Sequence, residues 1–130
     1  MTMKAREFSV VDLFSGVGGM SLGYARHPAF RVAAAADAQI GKPTAGAGTL
    51  GCNNTYGRNI GVMPAGLDLS HVPPAQLRHS LGLAQAPAVD VLLACPPCTG
   101  FSRANPQNHV RDDKRNNLVR RAAEFATALG

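Results

Sequence analysis

A chain of 130 residues, 45% hydrophobic and 16% charged, has room for one domain with a modest core, and that balance excludes a chain disordered by composition. Fourteen glycines and nine prolines call for many turns, and a net charge of +5, of which +3 falls in residues 101–130, suits a polyanion without requiring one. No stretch approaches the roughly 18 apolar residues of a membrane span, "MTMKAREF" carries no apolar leader, and three cysteines without a sign of export are expected to be reduced thiols in a cytoplasm.

In chain order, "FSVVDLF" (8–14) reads as a buried strand, apolar and β-branched, ending in the turn "SGVGG". "MSLGYARH" (20–27) reads as a helix stopped by Pro28, and "FRVAAAAD" (30–37) as a second strand ending in an acid. A small-residue loop follows, then a helix around 45–58. A weak third strand is expected near the end of 60–70, a helix opened by prolines over 73–83, and a fourth strand over 88–94. Residues 95–113 read as a loop, and the stretch from Arg115 to the end as a helix. Strands alternating with helices predict an α/β fold with a parallel sheet.

The segment "DLFSGVGGMSLG" (12–23) lies between a strand and a helix, where a nucleotide-type glycine turn has to lie. Gly16 and Gly18 allow a tight turn and a close backbone approach to a ligand, the following helix offers free N–H groups, and Gly19 would let that helix pack on the strand. Asp37, about 18 residues on, stands where an acid accepts hydrogen bonds from ribose hydroxyls. Two features count against a dinucleotide. Ser21 occupies the place of a third glycine, and a second acid, Asp68, at the end of the third strand, could meet an adenine amino group. The plainer reading of Asp68 is a turn or helix-cap residue.

In an open parallel sheet, ligands sit beyond the carboxyl ends of the strands where strand order reverses, which places the turn after the fourth strand, "ACPPC" (94–98), opposite the glycine turn. A redox Cys-x-x-Cys would leave the glycine turn, Asp37 and Asp68 without a role. Zinc needs about four ligands, and only Cys52 and scattered histidines could join the pair. Cys95 continues the apolar strand and is expected to be buried. Cys98 lies past two prolines, at a strand end near a basic segment, as a nucleophile would.

These residues carry a resemblance. "DLFSGVGGMSLG" resembles the first motif of the DNA cytosine-5 methyltransferases, and "PPCTGFS" (96–102) their catalytic motif. "DKRNNL" (113–118) is similar to their Asp-x-Arg-x-x-Leu element, and "NTYGRNIG" (54–61) to the stretch after their second motif. The four lie in the family's order over about residues 9–118.

The resemblance implies a Rossmann-like class I methyltransferase fold using S-adenosylmethionine, with Cys98 as the nucleophile that adds to C6 of cytosine. It implies a cofactor site built from Phe14, Ser15, Gly16, Gly18, Gly19, Asp37, Ala38, Asp68, Leu69, Pro97 and Leu118. It implies double-stranded DNA as the partner, with Ser102, Arg103 and Arg115 as contacts, and no metal. Thr99 departs from the usual Gln or Asn after the nucleophile, and Ala38 is smaller than the family's usual residue against adenine. The family's Glu-Asn-Val motif and recognition region are expected past residue 130. The chain is then the N-terminal half of a catalytic domain, ending after the fourth strand and its helix and inactive alone. A tRNA-methylating branch of the same family, and a non-catalytic cofactor-binding fragment or one subunit of a split enzyme, are the competing readings.

Overall fold

The computed structural model describes residues 6–40, 48, 50–98 and 117–130. Strands β1 (Phe8–Leu13), β2 (Phe30–Ala36) and β3 (Val91–Ala94) form a parallel sheet in the order β2-β1-β3. Helices α1 (Ser21–Arg26), α2 (Cys52–Ile60), α3 (Pro74–Ser80) and α4 (Asn117–Leu129) complete the chain. The predicted α/β class and parallel sheet hold, and β3 is the strand expected fourth.

Successive residues of β1 face opposite sides of the sheet, which accounts for two cores. Val11 and Leu13 pack with Leu69, Leu77, Phe125 and Leu129 on the side of α3 and α4. Val10 packs with Val32 and Leu93, and with Tyr24 and Ile60 from α1 and α2. The run of four alanines in β2 has high helix propensity, yet it is held as strand between β1 and an isolated parallel bridge to Ala65. Burial of Ala34, Ala35 and Ala36 between neighbours overrides the local preference.

The predicted third strand is reduced to that one bridge, Ala36 to Ala65. Ala65 both donates to Ala35 O and accepts from Asp37 N, but Pro64 before it has no N–H to continue the ladder. The fourth strand starts three residues later than expected. The Asp90 carboxylate, rather than a backbone carbonyl, accepts from Ser9 N, and Val89 N donates to Leu129 O. Helix α2 starts at Cys52, later than the predicted helix, whose residues 45–47 and 49 lie outside the described residues. It ends at Gly61, whose φ of 83° is the left-handed C-terminal cap that glycine favours. Pro74 opens α3 as expected. Among the described residues no helix is long and apolar enough to cross a membrane.

Candidate functional site

Strand β1 runs directly into the glycine turn, and two buried side chains tie the turn's ends together. Asp12, on the α1/α2 face of β1, is 2% exposed. Ser21 Oγ, at the start of α1, donates to Asp12 Oδ2 at 2.6 Å, and Tyr56 OH of α2 donates to Ser21 Oγ at 2.7 Å. Burial pushes the Asp12 carboxyl above its usual range, against the pull of the two hydroxyls, and pushes the Tyr56 phenol up to about 12. Tyr56 therefore stays neutral and donates. A folded Asp12 with a raised pKa keeps a proton that the unfolded chain loses once pH passes the ordinary 3.8. Its contribution to stability must fall as pH rises from 3.8 towards the raised value. Comparing urea midpoints of the protein and its Asp12→Asn variant across that range should show the variant lacking this fall. Parallel curves would refute it.

Gly18 packs against this network. Its φ is 91°, and a Cβ there would come within 3.0 Å of both Tyr56 Cδ2 and Ile60 Cγ1. The predicted close approach is thus to α2. Gly19 is exposed and a Cβ on it would meet nothing within 4 Å, so it does not serve the predicted helix–strand packing. The predicted free N–H groups at the next helix are also fewer. Helix α1 has six residues, and Leu22 N already donates to Gly18 O. Gly16, with φ of 53°, borders open space. Its N–H donates to Asp37 Oδ2 at 2.9 Å, so the expected ribose acid also braces the glycine turn. Asp37 Oδ1 accepts from Gln39 N at 2.6 Å, and Asn53 of α2 donates to Asp37 O. Ser15 Oγ is buried with no hydrogen-bond partner among the described residues.

Beyond the carboxyl ends of the strands lies an open cleft of about 170 Å³. Phe14 comes to it from β1; Asp37, Ala38 and Ile40 from the end of β2. Leu67, Asp68 and Leu69 follow the Ala65 bridge, Cys95 and Pro97 follow β3, and Leu118 comes from α4. Phe14 and Gln39 hold left-handed φ values of 59° and 57°, uncommon for residues with a side chain and found here where two strands turn out beside the cleft.

The cleft brings together seven of the predicted residues: Phe14, Asp37, Ala38, Asp68, Leu69, Pro97 and Leu118. Ser15, Gly16, Gly18 and Gly19 do not line it. Ile40 and Leu67 were not anticipated, and neither was Cys95. Cys95 is exposed, a correction to the buried filler that the apolar run suggested, because β3 ends at Ala94 and the next residue already leaves the sheet. Cys98 is exposed, one residue past the cleft-lining Pro97. Cys52 sits beside Asp37, Sγ to Oδ1 3.7 Å, and burial followed by the Asp37 charge raises its thiol pKa. Thr99, Ser102, Arg103 and Arg115 lie outside the described residues.

Asp68 is both a turn residue and a cleft residue. Its Oδ1 accepts from Ser70 N at 3.0 Å, and its Oδ2 lies 3.0 Å from His71 Nδ1. Burial pushes its carboxyl up, but the bonds from Ser70 and His71 outweigh that and hold it below the usual range. Ser70 Oγ and Asp68 both meet the same His71 nitrogen, so the trio is a braced turn and not a proton relay. With three bonds accepted, the carboxylate keeps acceptor capacity toward the cleft.

The parallel sheet, its strand order and the cleft at its carboxyl edge define an open, Rossmann-like α/β fold shared with methyltransferases. The family model for C-5 cytosine-specific DNA methylases matches residues 8–128, and the chain belongs to that family. A crystal structure from E. coli, assigned as a DNA modification methyltransferase encoded within a prophage, shares 29% identity at a TM-score of 0.65, covering 95% of this chain and 29% of that one. The crystal structure of S. pombe Dnmt2 methyltransferase shares the fold at 21% identity and a TM-score of 0.52, covering 86% of this chain and 30% of that one. The chain thus spans less than a third of either structure. No curated protein matches significantly.

Proposed function

We propose that these residues are the N-terminal half of the catalytic domain of a cytoplasmic DNA cytosine-5 methyltransferase, of restriction-modification or orphan type. Its cleft takes S-adenosylmethionine, and its Cys98 thiolate attacks cytosine. The observation that carries the reading is the convergence of Phe14, Asp37, Asp68 and Leu118, from four separate segments, on one cleft at the reversal point of the sheet. Family membership supports the DNA substrate, as does the likeness to the prophage enzyme.

The residues fit such a cofactor. Two carboxylates, Asp37 and Asp68, stand in a cleft otherwise walled by Phe14, Ile40, Leu67, Leu69 and Leu118, which suits a flat base with polar groups at its edges. The small Ala38 leaves room, and Ile40 and Leu118 supply the wall that a larger side chain would have given. When bound, the cofactor supplies an electrophilic methyl group. Asp37 would receive the ribose hydroxyls and Asp68 the adenine amino group, while Phe14 and Leu118 exclude water.

Cys98 does the covalent work. Its sulfur adds to C6 of a cytosine flipped out of the duplex, which breaks the ring's aromaticity and makes C5 electron-rich. After methylation at C5, loss of the C5 proton restores the double bond and expels the thiolate. Ser102, Arg103 and Arg115 are proposed to meet the DNA. Turnover is proposed to need residues beyond these 130, in the same polypeptide or from a partner subunit.

Cofactor binding by the chain tests the site. Replacing Asp37 by Ala should raise the Kd for S-adenosylmethionine roughly five- to a hundred-fold, the range of a lost hydrogen bond to a buried group. The same change frees the Gly16 amide. Calorimetry giving an unchanged affinity would remove Asp37 from the site.

A further inference from the structure

Between the Ala65 bridge and α3, residues 66–72 run outside the sheet ladder, and this segment carries Asp68 into the cleft. Its own bonds are local: Leu67 N to Ala65 O, His71 N to Asp68 O, and the Asp68 turn with Ser70 and His71. Among the described residues, every hydrogen bond that ties it to another element comes from one side chain, Arg121 of α4. Arg121 Nε and Nη2 donate to Leu69 O at 3.4 and 3.3 Å, and Nη2 also donates to Val72 O.

The guanidinium is itself held in place. It lies over the Phe125 ring at 5.0 Å, pairs with Glu124 at 3.3 Å, and its side chain is only 19% exposed. A fork of this kind can hold two carbonyls at once, which a lysine cannot do with fixed geometry. Leu118 lies three residues earlier on the same helical face and lines the cleft. One helix therefore supplies a wall of the cleft and also ties down the segment that carries Asp68 into it.

We infer that Arg121 is a positioning residue that sets the specificity of the cleft: by pinning the backbone at Leu69 and Val72 it holds the Asp68 carboxylate toward the base, and so selects a purine bearing an amino group over one bearing an oxo group. The inference rests on the proposed cofactor reading. Arg121 touches no ligand; it acts through Asp68.

The test is calorimetry of the whole chain with two probes, S-adenosylhomocysteine and S-inosylhomocysteine, which differ in amino against oxo at one ring position. The protein should prefer the adenosyl probe by about ten-fold or more, the scale of one hydrogen bond. Arg121→Met should bring that ratio close to one. Arg121→Lys, which keeps charge and stem, should give an intermediate ratio and serves if the Met variant does not fold. Asp37→Asn should weaken both probes and leave the ratio intact, which separates positioning of Asp68 from general damage to the cleft. A ratio unchanged in a folded Arg121 variant overturns the inference while leaving the cofactor reading standing; no preference in the protein itself overturns the inference together with the Asp68 contact proposed for the adenine amino group. Failure of the adenosyl probe to bind at all overturns both.

Discussion

Replacing Tyr56 by Ala should lower the unfolding free energy by about 3–5 kcal/mol, the cost of deleting a fully buried aromatic side chain. Tyr56 has no exposed surface, and its ring closes over Gly18, where even a methyl group would be too close. Deleting the ring opens a cavity between α2 and the glycine turn. It also removes one of the two hydroxyls that face Asp12, an acid buried in the first strand. Tyr56→Phe separates the two effects. It keeps the ring and loses the hydroxyl, so it should cost about 1–3 kcal/mol, the penalty of leaving a buried polar group short of a partner. Ser21 still serves Asp12 in that variant. Urea unfolding followed by circular dichroism gives both values. An Ala variant within 1 kcal/mol of the parent would mean that the network does not hold the turn.

The difference between what the sequence discloses and what it hides follows from the range of the forces involved. The first strand, the glycine turn and Asp37 are legible because they depend on neighbours in sequence: a β-branched run, glycines at positive φ, an acid at a strand end. Pro74 at the first turn of α3 is legible for the same reason. The purpose of Gly18 is not, since the partner that requires it, Tyr56, lies 38 residues away. "NTYGRNIG" contains that partner, and a tyrosine and an isoleucine four apart on one helical face were the available signal. The third strand was overestimated because Pro64 outweighs the apolar pattern around it. Cys95 was misplaced by a single residue of strand length, enough to move a side chain from core to cleft. Arg121 in the sequence is one of two adjacent arginines, and only the tertiary packing of α4 on the segment after Ala65 separates it from Arg120, which is exposed and pairs with Glu124.

The largest expected effect on activity is the loss of Cys98. β3 stops at Ala94; past it Cys95 and Pro97 line the cleft, and Cys98 is exposed one residue further on. The ring of each proline between the cysteines fixes its φ, which limits the ways in which the turn can present Cys98. Both thiols are exposed, so access does not choose between them; the proposal of Cys98 rests on the resemblance of "PPCTGFS" to the family's catalytic motif. In the protein extended to the length of its relatives, Cys98→Ser should lower methyl transfer by about a thousand-fold or more, as removal of a nucleophile does, while Cys95→Ser should retain turnover. DNA containing 5-fluorocytosine gives a readout that does not depend on turnover. Fluorine at C5 cannot depart as a proton does, so once the thiolate has added to C6 and C5 has taken the methyl group, elimination is blocked and the adduct persists through denaturing electrophoresis. Cys98→Ser should give no such band, Cys95→Ser should give it, and peptide mapping should locate the modification on Cys98. An adduct mapped to Cys95, or one that survives in Cys98→Ser, would move the nucleophile to the residue that lines the cleft itself.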